Sequence, residues 1–245
     1  MRAGGGGDGQ APVALVTGGA TGIGKACCRQ LAAQGYIVVI DHLGQAAAAG
    51  QLAAEIGGLA VDADVADAGA MASLVARVEA DIGPIEVAVC NAGFIKEVPL
   101  DDLNDELWQR TMRVLLGGCV NVIAAVSPAM AGRGHGSIVT ISSELALVGA
   151  TEHAHYVSAK AAIIGLSRSV AKELAPQGIR VNVVAPGPTD TALLTDRWRE
   201  ASYLSLIPLG RLGRPEEVAE VVVAVAGASF LTGEVVSPNG GVVMQ

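Results

Sequence analysis

A tyrosine and a lysine four positions apart, Tyr156 and Lys160, are the residues of this chain best suited to handling a proton. On a helix that spacing puts both side chains on one face. A phenol titrates near pH 10 when unperturbed, which is too high for efficient proton exchange at neutrality. A neighbouring ammonium favours the phenolate and draws that value down. Thirteen positions before Tyr156, just after the apolar run 138–142, stands Ser143, whose hydroxyl can steady a substrate oxygen. Taken alone, a tyrosine and a lysine on one helix are commonplace. Their meaning depends on what else the chain carries.

It carries a glycine-rich turn, Thr17-Gly18-Gly19-Ala20-Thr21-Gly22-Ile23-Gly24, between an apolar run and a helical pattern. Gly18 permits a tight turn, Gly22 lets backbone approach a pyrophosphate, and Gly24 allows close helix packing. With Thr21 and Ile23, these residues open a helix whose free N–H groups and positive dipole end face the phosphates. Such a turn by itself can be no more than a tight connection. A second feature strengthens it: Asp41 ends the run 36–40, 19 residues after Gly22, where an acidic side chain bonds ribose hydroxyls. A carboxylate there repels a 2′-phosphate, and no Arg or Lys stands at Thr21 or His42 to attract one. NAD is favoured over NADP.

The elements that must position these residues alternate along the chain. Runs 13–16, 36–40, 58–62, 86–90, 136–141, 180–185 and 234–237 read as strands rich in Val and Ile. Helical patterns at 23–34, 46–56, 68–82, 105–131, 154–175 and 216–225 lie between them. The expected fold is α/β: a single-domain, Rossmann-type, doubly wound parallel sheet of about seven strands with helices on both faces. Residues 1–12 are expected to form a flexible Gly-rich tail, and 13–245 one catalytic domain. In such sheets ligands bind beyond the carboxyl ends of the strands, where Gly18, Asp41 and Ser143 fall.

Composition narrows the function. A net charge of −8 without Lys/Arg clusters argues against nucleic-acid binding. The stretch 114–126 is interrupted by Asn121 and too short for a membrane span, and residues 1–12 lack the apolar core of a signal peptide. Cys27, Cys28, Cys90 and Cys119 form no CxxC pair, so buried reduced thiols, no metal site and a cytoplasmic location are expected.

Asn91-Ala92-Gly93, Pro186-Gly187, and Arg211-Leu212-Gly213-Arg214-Pro215-Glu216-Glu217 complete an ordered set with the glycine turn and Tyr156-Val157-Ser158-Ala159-Lys160. In this order and spacing, from Val13 onward, the chain resembles the short-chain dehydrogenase/reductase family, and within it the 3-oxoacyl-carrier-protein reductase-like members. The resemblance implies that Tyr156 is the general acid/base, Ser143 the partner of the substrate oxygen, and Lys160 the ligand of the nicotinamide ribose that lowers the tyrosine pKa. It implies that Asp64 and Val65 contact adenine, and that Asn91, Ala92 and Gly93 line the cofactor. Pro186, Gly187, Thr189 and Thr191 would meet the carboxamide, Thr189 through its backbone and Thr191 through its hydroxyl.

Two departures stand out. Leu115 occupies a position where many relatives carry an Asn that completes a water relay to the lysine, so a weakened relay is expected. Asn239-Gly240-Gly241 replaces the usual Asp-Gly-Gly. Substrate contacts are expected from 144–147, from Glu152, His153 and His155, and from a lid at 192–208. Trp198 and Tyr203 there either cover an apolar or cyclic substrate or simply pack the lid down. Apolar helical faces at 114–126 and 159–170 suggest a homodimer or homotetramer. The expected function is NAD-dependent interconversion of a secondary alcohol and a ketone. The alternatives are a non-catalytic NAD-binding regulator and a 3-oxoacyl-thioester reductase using NADPH; a sugar-nucleotide epimerase or dehydratase is disfavoured by the short C-terminal region.

Overall fold

Strands covered on both faces must be apolar throughout, and the short Val/Ile runs meet that demand. A computed structural model describes residues 11–244; positions 1–10 of the expected tail lie outside the described residues. The strands are β1 (Val13–Val16), β2 (Ile37–His42), β3 (Leu59–Asp62), β4 (Ile85–Cys90), β5 (Gly136–Ile141), β6 (Ile179–Val184) and β7 (Val235–Val236). They form one sheet in the order β3-β2-β1-β4-β5-β6-β7, with every pairing parallel. The order reverses between β1 and β4, which opens a crevice above their carboxyl ends.

Helices α1 (Gly22–Ala33), α2 (Ala46–Ile56) and α3 (Ala68–Asp81) follow the first three strands. The region after β4 holds α4 (Asp105–Thr111) and α5 (Gly118–Arg133); beyond β5 come α6 (Leu145–Val148) and α7 (Ala154–Leu174). After β6 come α8 (Ala201–Leu204) and α9 (Pro215–Gly227). One face of the sheet is sealed by Cys27 and Leu31 of α1, Leu52 of α2 and Val222 of α9. The other is sealed by Leu74 of α3, Val122 and Val126 of α5 and Ile163 of α7.

Strand boundaries agree with the sequence reading to within two residues. The helix expected at 105–131 differs. It is interrupted by a π-helical segment, Met112–Gly117, between α4 and α5. Gly117 and Gly118 weaken the α register there, and one extra residue per turn is accommodated. Absence of a side chain at Gly118 also lets Val65 close in, since a Cβ would lie 2.8 Å from Val65 Cγ2. The whole run Asp105–Arg133 is 29 residues and, by length and composition alone, sufficient to cross a bilayer. The stretch 114–126 is one part of that longer run. In this fold Cys119, Val122, Ile123, Val126 and Met130 are buried in the core instead.

Candidate active site

The glycine turn leaves β1 and enters α1 with Gly18 at φ +60°, a left-handed conformation that a side chain would strain. A Cβ on Gly24 would fall 2.3 Å from the Gly18 carbonyl oxygen, so backbone passes over backbone here. Asn91, at the end of β4, braces this turn: its Nδ2 donates to the carbonyls of Thr17 (3.0 Å) and Gly18 (3.1 Å). Thr17 Oγ1 in turn accepts from the N–H groups of Asn91 (3.0 Å) and Ala92 (3.1 Å). The sequence reading missed Thr17, whose role shows only when β1 and β4 lie side by side.

At the tip of β2, Asp41 is 1% exposed and its Oδ1 has no hydrogen-bond partner. Burial pushes the carboxyl up to about 8, against a backbone hydrogen bond at Gly18, with the charges of Asp62 and Asp64 adding to the rise. A buried acceptor without a donor is an arrangement that a ribose hydroxyl would satisfy.

Above β5 and β6 the second half of the site assembles. Lys160 is buried, and its ammonium donates to the carbonyl of Ile141 (2.7 Å). The same helical turn is pinned from below, Ser142 Oγ donating to the Lys160 carbonyl (2.8 Å). Lys160 Nζ stands 5.7 Å from the centre of the Tyr156 ring. Burial pushes the lysine down to about 8, with Cys119 opposing that shift. Tyr156 departs from expectation: burial holds its phenol above the ordinary value, the Glu144 charge adds to this, and the nearby Ser143 hydroxyl opposes it. In the free protein, desolvation outweighs the ammonium that the sequence suggested would govern this phenol.

A cleft of about 670 Å³ joins the two halves. Of the residues singled out from sequence, Gly18, Thr21, Gly22, Ile23, Asn91, Gly93, Ser143, Tyr156, Lys160, Pro186, Gly187, Thr189 and Thr191 line it. Gly24 and Ala92 lie beneath the turn, and Asp41 is buried behind it. Asp64 spends a carboxylate oxygen on its own Ala66 N–H (2.9 Å), while the side chain of Val65 packs on α5. Neither Asp64 nor Val65 is on the cleft wall. Thr189 Oγ1 turns back to the Gly187 carbonyl (2.9 Å). Asn239 buttresses Gly187; it donates to Ser237 Oγ (2.9 Å) and the Val243 carbonyl (2.9 Å) while accepting from Gly241 N–H (2.8 Å). An ionised aspartate there could not donate those two bonds.

The lid folds over the cleft through Trp198, which stands edge-on to Tyr203 (centroids 4.5 Å apart) and to the fully buried His153 (6.0 Å). Trp198 Nε1 donates to Glu97 (2.7 Å), and Arg197 bridges Glu97 and Glu152 at 3.1 Å each. Among the described residues no cluster of His, Cys, Asp and Glu could hold a metal ion.

Leu115 is buried in the π-helical segment, and a Cβ on Gly93 would come within 2.7 Å of its Cδ2. The side chain plugs the space under Gly93 with hydrocarbon. Leu115→Asn is expected to raise kcat severalfold and shift its pH profile towards neutrality, by giving a relay water a polar anchor. Steady-state rates across pH check this; an unchanged profile removes the relay argument.

The comparisons with known proteins follow the same outline. A family model described as Enoyl-(Acyl carrier protein) reductase matches residues 18–243. An acetoacetyl-CoA reductase of Shinella zoogloeoides is 38% identical over 234 residues, 94% of this chain and 97% of that protein. A 3-oxoacyl-[acyl-carrier-protein] reductase of Thermotoga maritima is 38% identical over 242 residues, covering 95% of this chain and 98% of its own. A solved structure described as a short chain dehydrogenase/reductase family protein superposes with a TM-score of 0.87 at 36% identity, over 95% of this chain and 97% of that one. The chain therefore belongs to the short-chain dehydrogenase/reductase family and is an oxidoreductase of ketone and alcohol groups, dependent on a nicotinamide cofactor.

Proposed function

We propose that this oxidoreductase works with NAD(H), that Tyr156 is its general acid/base, and that Ser143 and Lys160 complete the catalytic set. The observation that carries the proposal is the convergence of Ser143, Tyr156 and Lys160 on the cleft that also holds the glycine turn. A bound nicotinamide supplies or accepts the hydride, which is the cofactor's own chemistry. Everything else falls to side chains. Ser143 Oγ and the Tyr156 hydroxyl bind the substrate oxygen. Tyr156 is protonated at neutrality, so in reduction it gives that oxygen its proton; in oxidation it takes the proton back. Lys160, held on the Ile141 carbonyl, fixes the polar floor beneath the phenol and is available to the ribose.

The residues present fit a dinucleotide. Asp41 offers an unpartnered buried acceptor, and Gly22, at φ +52°, lies close to Thr191, a Cβ there falling 3.3 Å from Thr191 Cγ2. No Lys or Arg occurs in 41–45 to receive a 2′-phosphate, which favours NAD. The names of the relatives favour a second reading, reduction of a 3-oxoacyl thioester, for which NADPH is the cofactor that the family resemblance implies. A panel of ketones, secondary alcohols and a 3-oxoacyl thioester, followed by nicotinamide absorbance with each cofactor, separates the two. We expect a kcat/KM at least about 10-fold higher with NADH than with NADPH. A preference for NADPH overturns the cofactor assignment, and turnover of nothing in the panel overturns the catalytic one.

Four buried, unbridged cysteines suit a reducing compartment, consistent with the cytoplasm. Val120 stays exposed on α5, and a two-fold assembly through α5 and α7 would cover it.

A further inference from the structure

One carboxyl on the cleft wall has no part in the proton transfer just described. Glu144 directly follows Ser143, is 4% exposed and lines the cleft. Ser143 Oγ donates to its Oε2 at 3.1 Å. No other side chain hydrogen-bonds or ion-pairs with this carboxyl among the described residues. Its backbone is fixed, the Glu144 N–H donating to the Pro186 carbonyl (2.9 Å) and the Glu144 carbonyl accepting from Leu147 N–H (2.9 Å). The carboxyl is therefore held beside Ser143. Its field reaches the phenols of Tyr156 and Tyr203, pushing both upward in addition to burial.

This is an unfavourable neighbour for the reaction unless the substrate compensates. As a carbonyl is reduced, its oxygen gains negative charge between Ser143 and Tyr156. Burial raises the Glu144 carboxyl to about 7, and in its ionised form, one hydrogen bond away, it opposes that charge. Ser143 also has a single proton to donate, and here Glu144 receives it. A hydroxyl on the carbon next to the carbonyl removes both difficulties. It replaces Ser143 as the donor to Glu144, and the Ser143 proton then turns to the carbonyl oxygen. A 3-oxoacyl thioester has only hydrogen-bearing carbons without hydroxyls beside its 3-oxo carbon and brings no such donor.

We infer that Glu144 determines specificity by binding a hydroxyl on the carbon adjacent to the reacting one, so that the substrates are α-hydroxy ketones in reduction and vicinal diols in oxidation. The inference rests on the ketone–alcohol reading above. In the reaction the carbonyl carbon takes a hydride from the reduced nicotinamide dinucleotide. The C=O π bond opens, and the oxygen takes the Tyr156 proton, leaving a vicinal diol and the oxidised dinucleotide; solvent reprotonates the phenol.

The test compares 3-hydroxybutan-2-one, butan-2-one and a 3-oxoacyl thioester as substrates of wild type, Glu144→Leu and Glu144→Gln. The ratio of kcat/KM between the first two is read within each protein, so a variant that folds in lower yield still reports. We expect wild type to favour the hydroxy ketone by about 10-fold or more, Glu144→Leu to bring the ratio near unity, and Glu144→Gln, which keeps a carbonyl acceptor, to fall between. An equal ratio in wild type and Glu144→Leu, or a wild type that prefers the thioester, overturns the inference while leaving the ketoreductase reading intact. Turnover of none of the three substrates overturns that reading and the inference with it.

Discussion

Tyr156→Phe is expected to lower kcat by about 10²–10⁴-fold in both directions, with KM for the cofactor nearly unchanged, because the ring stays while the proton donor goes. The pH profile should carry the same signature. In wild type the phenol is held above its usual range. The oxidation rate therefore rises with pH into the alkaline region as phenolate forms, whereas the reduction rate, which needs the phenol, is flat through neutrality and falls only at high pH. Lys160, pushed down to about 8, adds a second inflection as its ammonium is lost. The residual activity of Tyr156→Phe should lack the alkaline rise. Initial rates in both directions across pH provide the check, and a variant that turns over at the wild-type rate removes Tyr156 from the mechanism.

Asp41→Asn should show an effect on stability opposite in sign to its effect on binding. The folded carboxyl titrates at about 8, raised from 3.8. An acid raised in this way favours folding below the unfolded value, and that contribution is lost as pH climbs through about 8. The variant has no charge to bury. Its melting temperature should therefore draw ahead of wild type as pH rises from 4 to 8, by the equivalent of about 1–3 kcal/mol, and stay parallel above that. Binding runs the other way. Ribose hydroxyls donate to the ionised carboxylate, so NADH affinity and discrimination against NADPH should both strengthen in wild type as pH passes about 8. In Asp41→Asn, NADH should bind about 10-fold more weakly and its preference over NADPH should not vary with pH. Melting curves and cofactor titrations at three pH values test both arms. A preference that varies equally in the two proteins would show that another group sets it.

Much of this was legible in the residues themselves. Parallel strands buried on both faces leave continuous Val/Ile runs, which located β1, β2, β4, β5 and β6; the more open edge strands β3 and β7 were placed from shorter apolar runs. Gly18, Asp41 and Ser143 were found because a doubly wound sheet puts ligand contacts at strand ends. What local pattern does not encode is which polar side chain gets buried. Glu144 and His153 were expected among the substrate contacts, but nothing in the chain signalled that they would be 4% and 0% exposed, closed over by elements from distant positions. The π-helical segment was hidden for a similar reason: its apolar residues satisfy helical periodicity, and only the backbone of Met112–Gly117 shows the altered register. Asn91 was assigned to lining the cofactor, and its side chain also binds the carbonyls of the turn 70-odd residues earlier.

Arg197 and its two glutamates carry a consequence for how the enzyme breathes. All three side chains remain partly open to water, at 47%, 24% and 38% exposure. Ion pairs so placed contribute about 0–1 kcal/mol each and weaken as salt is added. The charges therefore act as a light catch, and the greater part of the hold comes from Trp198 lying edge-on to Tyr203 and His153. Opening the entrance means separating aromatic edges, which costs little compared with the chemistry beneath. Closure of this mouth thus rests on the aromatic contacts of Trp198 and its hydrogen bond to Glu97, with ionic strength as a fine adjustment.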